Sequence, residues 1–318
     1  MLLRKIYETF VAKGIENDPR GRETVMKTLE KRAKAYNSMK EDEKEFFDPE
    51  SLVNPYADTR ILNGTGDEDI KAVLVGIDME MAEVLLAERL SAKGRKIDLV
   101  IAHHPEGKAF ANFYEVMHMQ ADILNRFGVP INVAESLLEN RIKEVERRLS
   151  PVNHTRAVDT AKLLDMPFLC VHTPADNMVA SYLHKVFNEK NPDTLDDIMN
   201  ILKEIPEYRE ASKNNAGPKF LLGSKERRTG KIFVDMTGGT EGARDIFENL
   251  VNSGISTLVV MHLSEDHRKE AEKNHMNVIL AGHISSDNLG MNLMLDEIQK
   301  TDSLEVIPCS GFRRFKRV

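Results

Sequence analysis

Three short segments hold the side chains best suited to chemistry. DLVIAHHPEG sends an apolar run into His103 and His104, LCVHTPAD ends in His172 and Asp176, and VILAGHISSDNLG carries His283 followed four residues later by Asp287. Neutral imidazole nitrogen and anionic carboxylate oxygen are the ligands that Zn²⁺, Fe²⁺, Mn²⁺ and Co²⁺ accept. Taken singly, each segment also has a plainer explanation: HHP as a surface turn, Asp176 and Asp287 as helix N-caps, His172 as a core histidine or a hydrogen-bond partner behind a ligand. Adjacent strand residues point to opposite faces, so His103 and His104 converge only if the chain turns there or if each reaches a different ion. Pro105 keeps His104 out of helical geometry. Together, His103, His104, Asp176, His283 and Asp287 are too many for one catalytic ion, which commonly takes about three protein ligands and leaves a place for water. Five such residues point to two ions sharing a bridging carboxylate and a bridging water, an arrangement that serves hydrolysis.

A second group of residues could line a pocket. DMTGGTEGAR places Gly238 and Gly239 in a turn between a strand and a helix, where free backbone N–H groups receive anions or the chain simply turns tightly. GSKERRTGKI is no Walker loop, because Gly223 and Gly230 lie seven apart and Ile232 stands where Ser or Thr belongs. No GxGxxG follows a strand, so nicotinamide or flavin chemistry has no support, and no Ser-His-Asp or Cys-His pattern suggests a covalent nucleophile.

The elements that must position these residues alternate. Two helices, at about 2–13 and 21–45, precede breaks at Pro49, Asn54 and Pro55, and a boundary falls near residue 60. Strand 71–78, helix 79–93, strand 97–102, helix 112–127, a short strand at 130–134, helical stretches to about 165 and strand 168–172 follow. After a helical region at 176–204 and a turn at 214–218 come strands near 219–223, 231–236, 256–261 and 277–281, with helices at 241–253, 264–274 and 287–299. This is an α/β pattern: a helical extension over 1–60 and a core over 61–318 with lobes at 61–205 and 215–318. No sequence repeat is evident.

Composition narrows the function classes. With 41% apolar residues the 318-residue chain can bury an ordinary core, and a formal charge of −7 argues against nucleic acid as main partner, since phosphate affinity needs concentrated Lys and Arg. The basic runs Lys225–Arg228 and Arg313–Arg317 are most simply solvated. Two cysteines, Cys170 and Cys309, cannot build a disulfide framework, and no run approaches a membrane span, so the cytoplasm is the expected compartment.

In their order along the chain, these segments resemble the Nif-three-like family of dinuclear-metal proteins, some of which are named homologs of a second type of GTP cyclohydrolase I. The family has HHP after a strand, an Asp four residues after a His in an HT segment, and GH followed four residues later by an acid. His103-His104-Pro105, His172-Thr173 with Asp176, and Gly282-His283 with Asp287 match from about residue 55 to the C terminus. The resemblance implies a two-lobed fold with mixed sheets flanked by helices, two divalent ions (Zn, Fe, Mn or Co) and a homohexamer of three dimers with its metal sites facing an interior cavity. For function it implies either a hydrolase of nucleotides, pterin precursors or phosphoesters, or a non-enzymatic metal-binding scaffold or interaction partner. The chain departs from the pattern at Asp287, where the family usually has Glu, at Glu106 after HHP, and in its first 55 residues. MHLSEDH keeps His267 but has His262 where Gly-acid is expected, and both are pocket candidates.

Overall fold

Four short strands, β1 (Arg60–Asn63), β2 (Ala72–Gly76), β3 (Leu99–Ala102) and β4 (Phe168–Cys170), build the first sheet, and β2, β3 and β4 are buried along their whole length. Runs such as AVLVG and LVIA do not alternate with polar residues because helices cover both faces, as a parallel sheet requires. The computed structural model describes residues 1–318. The second sheet comprises β5 (Lys219–Leu222), β6 (Lys231–Asp235), β7 (Ile255–Val260) and β8 (Asn277–Leu280), and the chain ends with β9 (Glu305–Pro308), which returns to the first sheet.

The strand orders are β1-β4-β3-β2-β9 and β5-β8-β7-β6. In each, an antiparallel edge strand (β1 or β5) pairs with β4 or β8 and the remaining strands run parallel, three in the second sheet and four in the first, where β9 adds to β2. The same topology thus occurs twice although the residues show no repeat. Two mixed sheets flanked by helices make the α/β class and layering those expected.

Several expectations are corrected. Residues 130–134 are not a strand: Pro130 precedes the helix Ile131–Leu149, whose buried Ala134, Leu138, Ile142 and Val145 form one helical stripe. β1 and β9 were not foreseen, being four residues each and only partly buried. The helical region 176–204 starts at Thr173 and breaks at Asn191, whose positive φ of 43° ends one helix before Thr194 caps the next. The helix expected at 241–253 is regular only over Phe247–Asn252, after a 3₁₀ turn.

The first helix, Leu3–Glu16, is part of the core. Its Leu3, Ile6 and Phe10 are fully buried in the cluster that holds Val73, Leu99 and Leu169, while the next helix, Arg22–Ser38, buries only Val25 and Leu29. Chain order and packing also diverge elsewhere. The helices Met119–Phe127 and Ile131–Leu149 pack Leu124 and Leu138 with Phe233 and Leu258 of the second sheet, so that sheet is covered by elements from before residue 205. The C-terminal basic run is not wholly solvated. Arg314 pairs with Asp296 and Arg317 with Glu207, and Asn292 binds the backbone of Arg313 and Phe315. No helix is long and apolar enough to cross a membrane.

Candidate metal centre

The HHP segment continues β3 alongside β2, with the His103 N–H donating to the Gly76 carbonyl at 3.0 Å and the His104 N–H to Ile77 at 2.9 Å. His103 is fully buried, and its Nδ1 lies 3.1 Å from the Val171 carbonyl. A carbonyl only accepts, so Nδ1 carries the proton and Nε2 presents a bare lone pair to the interior. His104 is anchored through Nδ1 by Asp78 at 2.7 Å, and His172 through Nδ1 by Asp58 at 2.8 Å. All three rings therefore offer Nε2, with the orientation held by the other nitrogen, as metal-binding histidines usually are.

Two helices bring the remaining groups. His172 precedes the helix Thr173–Lys190, with Pro174 in its first turn, so Asp176 lies inside that turn and is not the N-cap. The cap of the helix His283–Gln299 is Gly282, at a positive φ of 106°, and the helix begins at once; His283 and Asp287 share one face with Nε2 and Oδ2 3.5 Å apart. These two helices pack closely because Gly290 lacks a side chain: a Cβ there would stand 2.6 Å from the Ala175 carbonyl oxygen. That approach brings Asp176 and Asp287 to one place.

Asp287 sits at the middle. Its Oδ1 is 3.5 Å from His103 Nε2, which is also 3.5 Å from Asp176 Oδ1; its Oδ2 is 3.5 Å from both His104 Nε2 and His283 Nε2. His103 with Asp176 and Asp287, His104 with His283 and Asp287, and His103 with His104 and His172 each form a set close enough to hold an ion. The histidine doublet thus reaches two sides of one carboxylate. His172 Nε2, at 3.8 Å from Asp176 Oδ2, stands beside the first set.

The electrostatics are those of a cation site. His103 Nε2, Asp176 Oδ1 and both oxygens of Asp287 are buried without a hydrogen-bond partner. An orphaned buried polar atom costs about 1–3 kcal/mol, and here ring nitrogens and carboxylate oxygens converge on one another. Burial, then the neighbouring Asp287 and Asp58 charges, hold the Asp176 carboxyl well above its usual range. Burial also pushes Asp287 up, but the surrounding His103, His104 and His283 outweigh it and hold it low. Burial lowers His103 and His283. It lowers His104 too, yet bonds to Asp287 and Asp78 prevail and raise that ring to about 9. Divalent cations held by these two sets would between them meet the four orphaned atoms, so the residues fit the group.

No family model matches the chain, and no curated protein matches it. Among solved structures, the NIF3 superfamily protein from Sphaerobacter thermophilus is 28% identical, with 80% of this chain and 92% of that one covered at a TM-score of 0.70. This chain is NIF3-like. Reduced HcgD from Methanocaldococcus jannaschii shares the fold at 15% identity, over 84% of this chain and 94% of its own, with a TM-score of 0.51.

A cavity of about 960 Å³, open mouth included, leads from Asp176 and Asp287 of this cluster toward the second sheet. Gly239 lines it, whereas Gly238 turns its carbonyl to Gln120 Nε2 at 2.6 Å. His262 also lines it, with its ring 5.0 Å from that of His283 and Nδ1 3.5 Å from Glu241. His267 borders the cavity, but both its nitrogens are engaged, by Ser264 Oγ at 2.7 Å and the Gly242 carbonyl at 3.1 Å, so it pins the glycine loop. Sequence reasoning missed Asp58 and Asp78. Asp78 lies two residues past β2, the strand next to the one leading into HHP, which was a usable signal; Asp58 had none.

Proposed function

We propose that this NIF3-like protein binds two divalent cations and acts as a metal-dependent hydrolase. His103, Asp176 and one oxygen of Asp287 would hold one ion, and His104, His283 and the other oxygen the second, with His172 beside the first set. The observation that carries this reading is the pair of Asp287 oxygens, each facing a different nitrogen set without any other partner. The N and O donors suit Zn, Fe, Mn or Co. When bound, two such ions supply a water acidic enough to form hydroxide near neutral pH and a Lewis acid for the bond attacked. Asp58 and Asp78 fix the rings they bind, and the cavity beside the centre accepts a small molecule. GTP-type ring opening and phosphoester hydrolysis are the two reactions proposed.

The test is metal analysis of protein purified without an affinity metal, followed by turnover of GTP, other nucleotides and phosphoesters by wild type and Asp176→Ala. About two ions per chain and turnover lost in the variant are expected. A wild-type stoichiometry near zero refutes the reading, and two ions without any turnover leave the non-enzymatic scaffold in its place. A homohexamer of three dimers belongs to the same proposal and is checked by light scattering.

A further inference from the structure

Asp176 has a neighbour that the metal centre does not use. Asn177 follows it in the first turns of the helix Thr173–Lys190 and is fully buried, and successive helical residues point about 100° apart, so its amide meets different partners. Asparagine is a poor helix former, and a buried amide is costly unless its polar atoms are bonded. Both atoms are. Nδ2 donates toward the Gly14 carbonyl at 3.1 Å, the Tyr56 hydroxyl at 3.2 Å and Asp18 Oδ2 at 3.4 Å, and Oδ1 accepts from Thr237 Oγ1 at 2.7 Å. These partners are themselves held: the Tyr56 hydroxyl donates to Asp18 at 2.9 Å, and Arg20 binds both oxygens of that carboxylate, at 2.8 and 2.9 Å. Gly14 belongs to the first helix and Asp18 to the chain just after it, Tyr56 precedes β1, and Thr237 opens the glycine loop that lines the cavity.

We propose that Asn177 is a positioning residue of the metal centre and that the chain before β1 serves that centre through it. Four bonds to three separate segments fix the rotation of the ligand helix, and the rotation places the Asp176 carboxylate. Side-chain ends lie about 5 Å from a helix axis, so a turn of about 15° carries a carboxylate roughly 1.3 Å, whereas a metal–ligand distance tolerates only about 0.2 Å. A fully bonded buried network is the kind that holds one arrangement. Contact adds to it, because Gly14 lies against Pro174 in the first turn of the same helix. Asp287 comes from the other ligand helix, so the set of His104, His283 and Asp287 does not depend on Asn177. The inference rests on the two-ion part of the reading above and not on hydrolysis.

Cobalt(II), whose visible absorption changes with its ligands, is the probe. His283→Ala leaves the set of His103, Asp176 and Asp287, and Asp176→Ala leaves that of His104, His283 and Asp287, so each set is titrated by itself. Thr237→Val keeps the shape of the side chain without its hydroxyl, and Tyr56→Phe removes the hydroxyl between Asn177 and Asp18. Added to His283→Ala, each is expected to weaken cobalt binding about tenfold or more, the usual effect of losing a group that orients ligands, and to alter the cobalt spectrum. Added to Asp176→Ala, neither should change the affinity, and Thr237→Ser should change it in neither background. A lower urea midpoint in EDTA with cobalt affinity unchanged at both sets overturns the proposal, as does an equal loss at the two sets. Two cobalt ions bound by wild type with no effect of Thr237→Val or Tyr56→Phe sink this inference alone; no cobalt bound by wild type sinks the two-ion reading with it.

Discussion

Replacing Asp176 by Asn should change stability in opposite directions with and without metal. In the metal-free protein, Asp176 and Asp287 both stand 3.5 Å from His103 Nε2, and Asp176 Oδ1 has no partner. The amide removes a buried acid and adds an N–H that can donate to either acceptor, for a gain of about 1–2 kcal/mol. The sign with pH follows from the raised carboxyl. Asp176 ionises near its ordinary value when unfolded but resists ionisation when folded, so wild-type stability falls as pH rises above about 4 and the variant escapes that loss. The gain should vanish below pH ~4 and grow toward neutrality. With metal at a thousand times its Kd, wild type is stabilised by about 4.1 kcal/mol; a ligand loss that weakens binding a hundredfold leaves about 1.4. Urea unfolding at pH 7.5 in EDTA and in excess metal measures both arms. A variant that is destabilised in EDTA and responds to metal as wild type does would refute the reasoning and make Asp176 a structural residue.

Metal affinity should rise with pH, about tenfold per unit up to about 9, because an ion must displace the proton that Asp287 and Asp78 hold on His104 against the effect of burial. Titrations between pH 6.5 and 9 check this, and a flat profile contradicts it. Chelator should remove the two ions in two phases: the His103–Asp176 set is buried, with side chains 0% and 5% exposed, whereas His104 and His283 are 27% and 39% exposed. Stopped-flow release from wild type and His283→Ala should assign the fast phase to the second set; loss of the slow phase in that variant contradicts the assignment. Gly290→Val should force the two ligand helices apart, costing about 1–3 kcal/mol in EDTA and more in metal, since its Cβ would meet the Ala175 oxygen at 2.6 Å. Equal losses in the two conditions would show that the helices' spacing does not govern the centre.

The segments that carry the centre were legible because each follows an apolar run. β3 into His103 and β4 into His172 announce themselves as buried runs followed by polar side chains. The convergence of His103, His104, Asp176, His283 and Asp287 followed from chemistry, not from periodicity, and the alternative of Asp176 and Asp287 as caps could be settled only by where the helices start. Short edge elements were illegible. β9 reads EVIP, too brief and too polar to stand out, and IN of residues 131–132 after Pro130 looks like the start of a strand until the stripe to Val145 is followed. The role of the first helix was hidden for another reason: Leu3, Ile6 and Phe10 mark an apolar face, but nothing local says that Gly14 will lie so close to Pro174 that a Cβ there would stand 2.7 Å away.

The duplicated topology bears on the proposed role of a short carboxylate at position 287. β4 and β8 hold the same place in their sheets, and each leads into a helix with His and Asp four residues apart, His172 with Asp176 and His283 with Asp287. The two copies then diverge. His172 is drawn back by Asp58 through Nδ1, while His283 has no such anchor and turns Nε2 to Asp287. Asp287 therefore becomes the shared group, and its reach is set by the helix rather than by its own length. Gly282 starts that helix at His283, and Gly290 lets it press against Ala175, so one fewer methylene still places both oxygens 3.5 Å from their nitrogens. A longer Glu at 287 would have to fold back within the same space, beside the fully buried His103 and the buried Asp176. Close helix packing and a short acid are, on this geometry, alternatives to a looser packing with a long one.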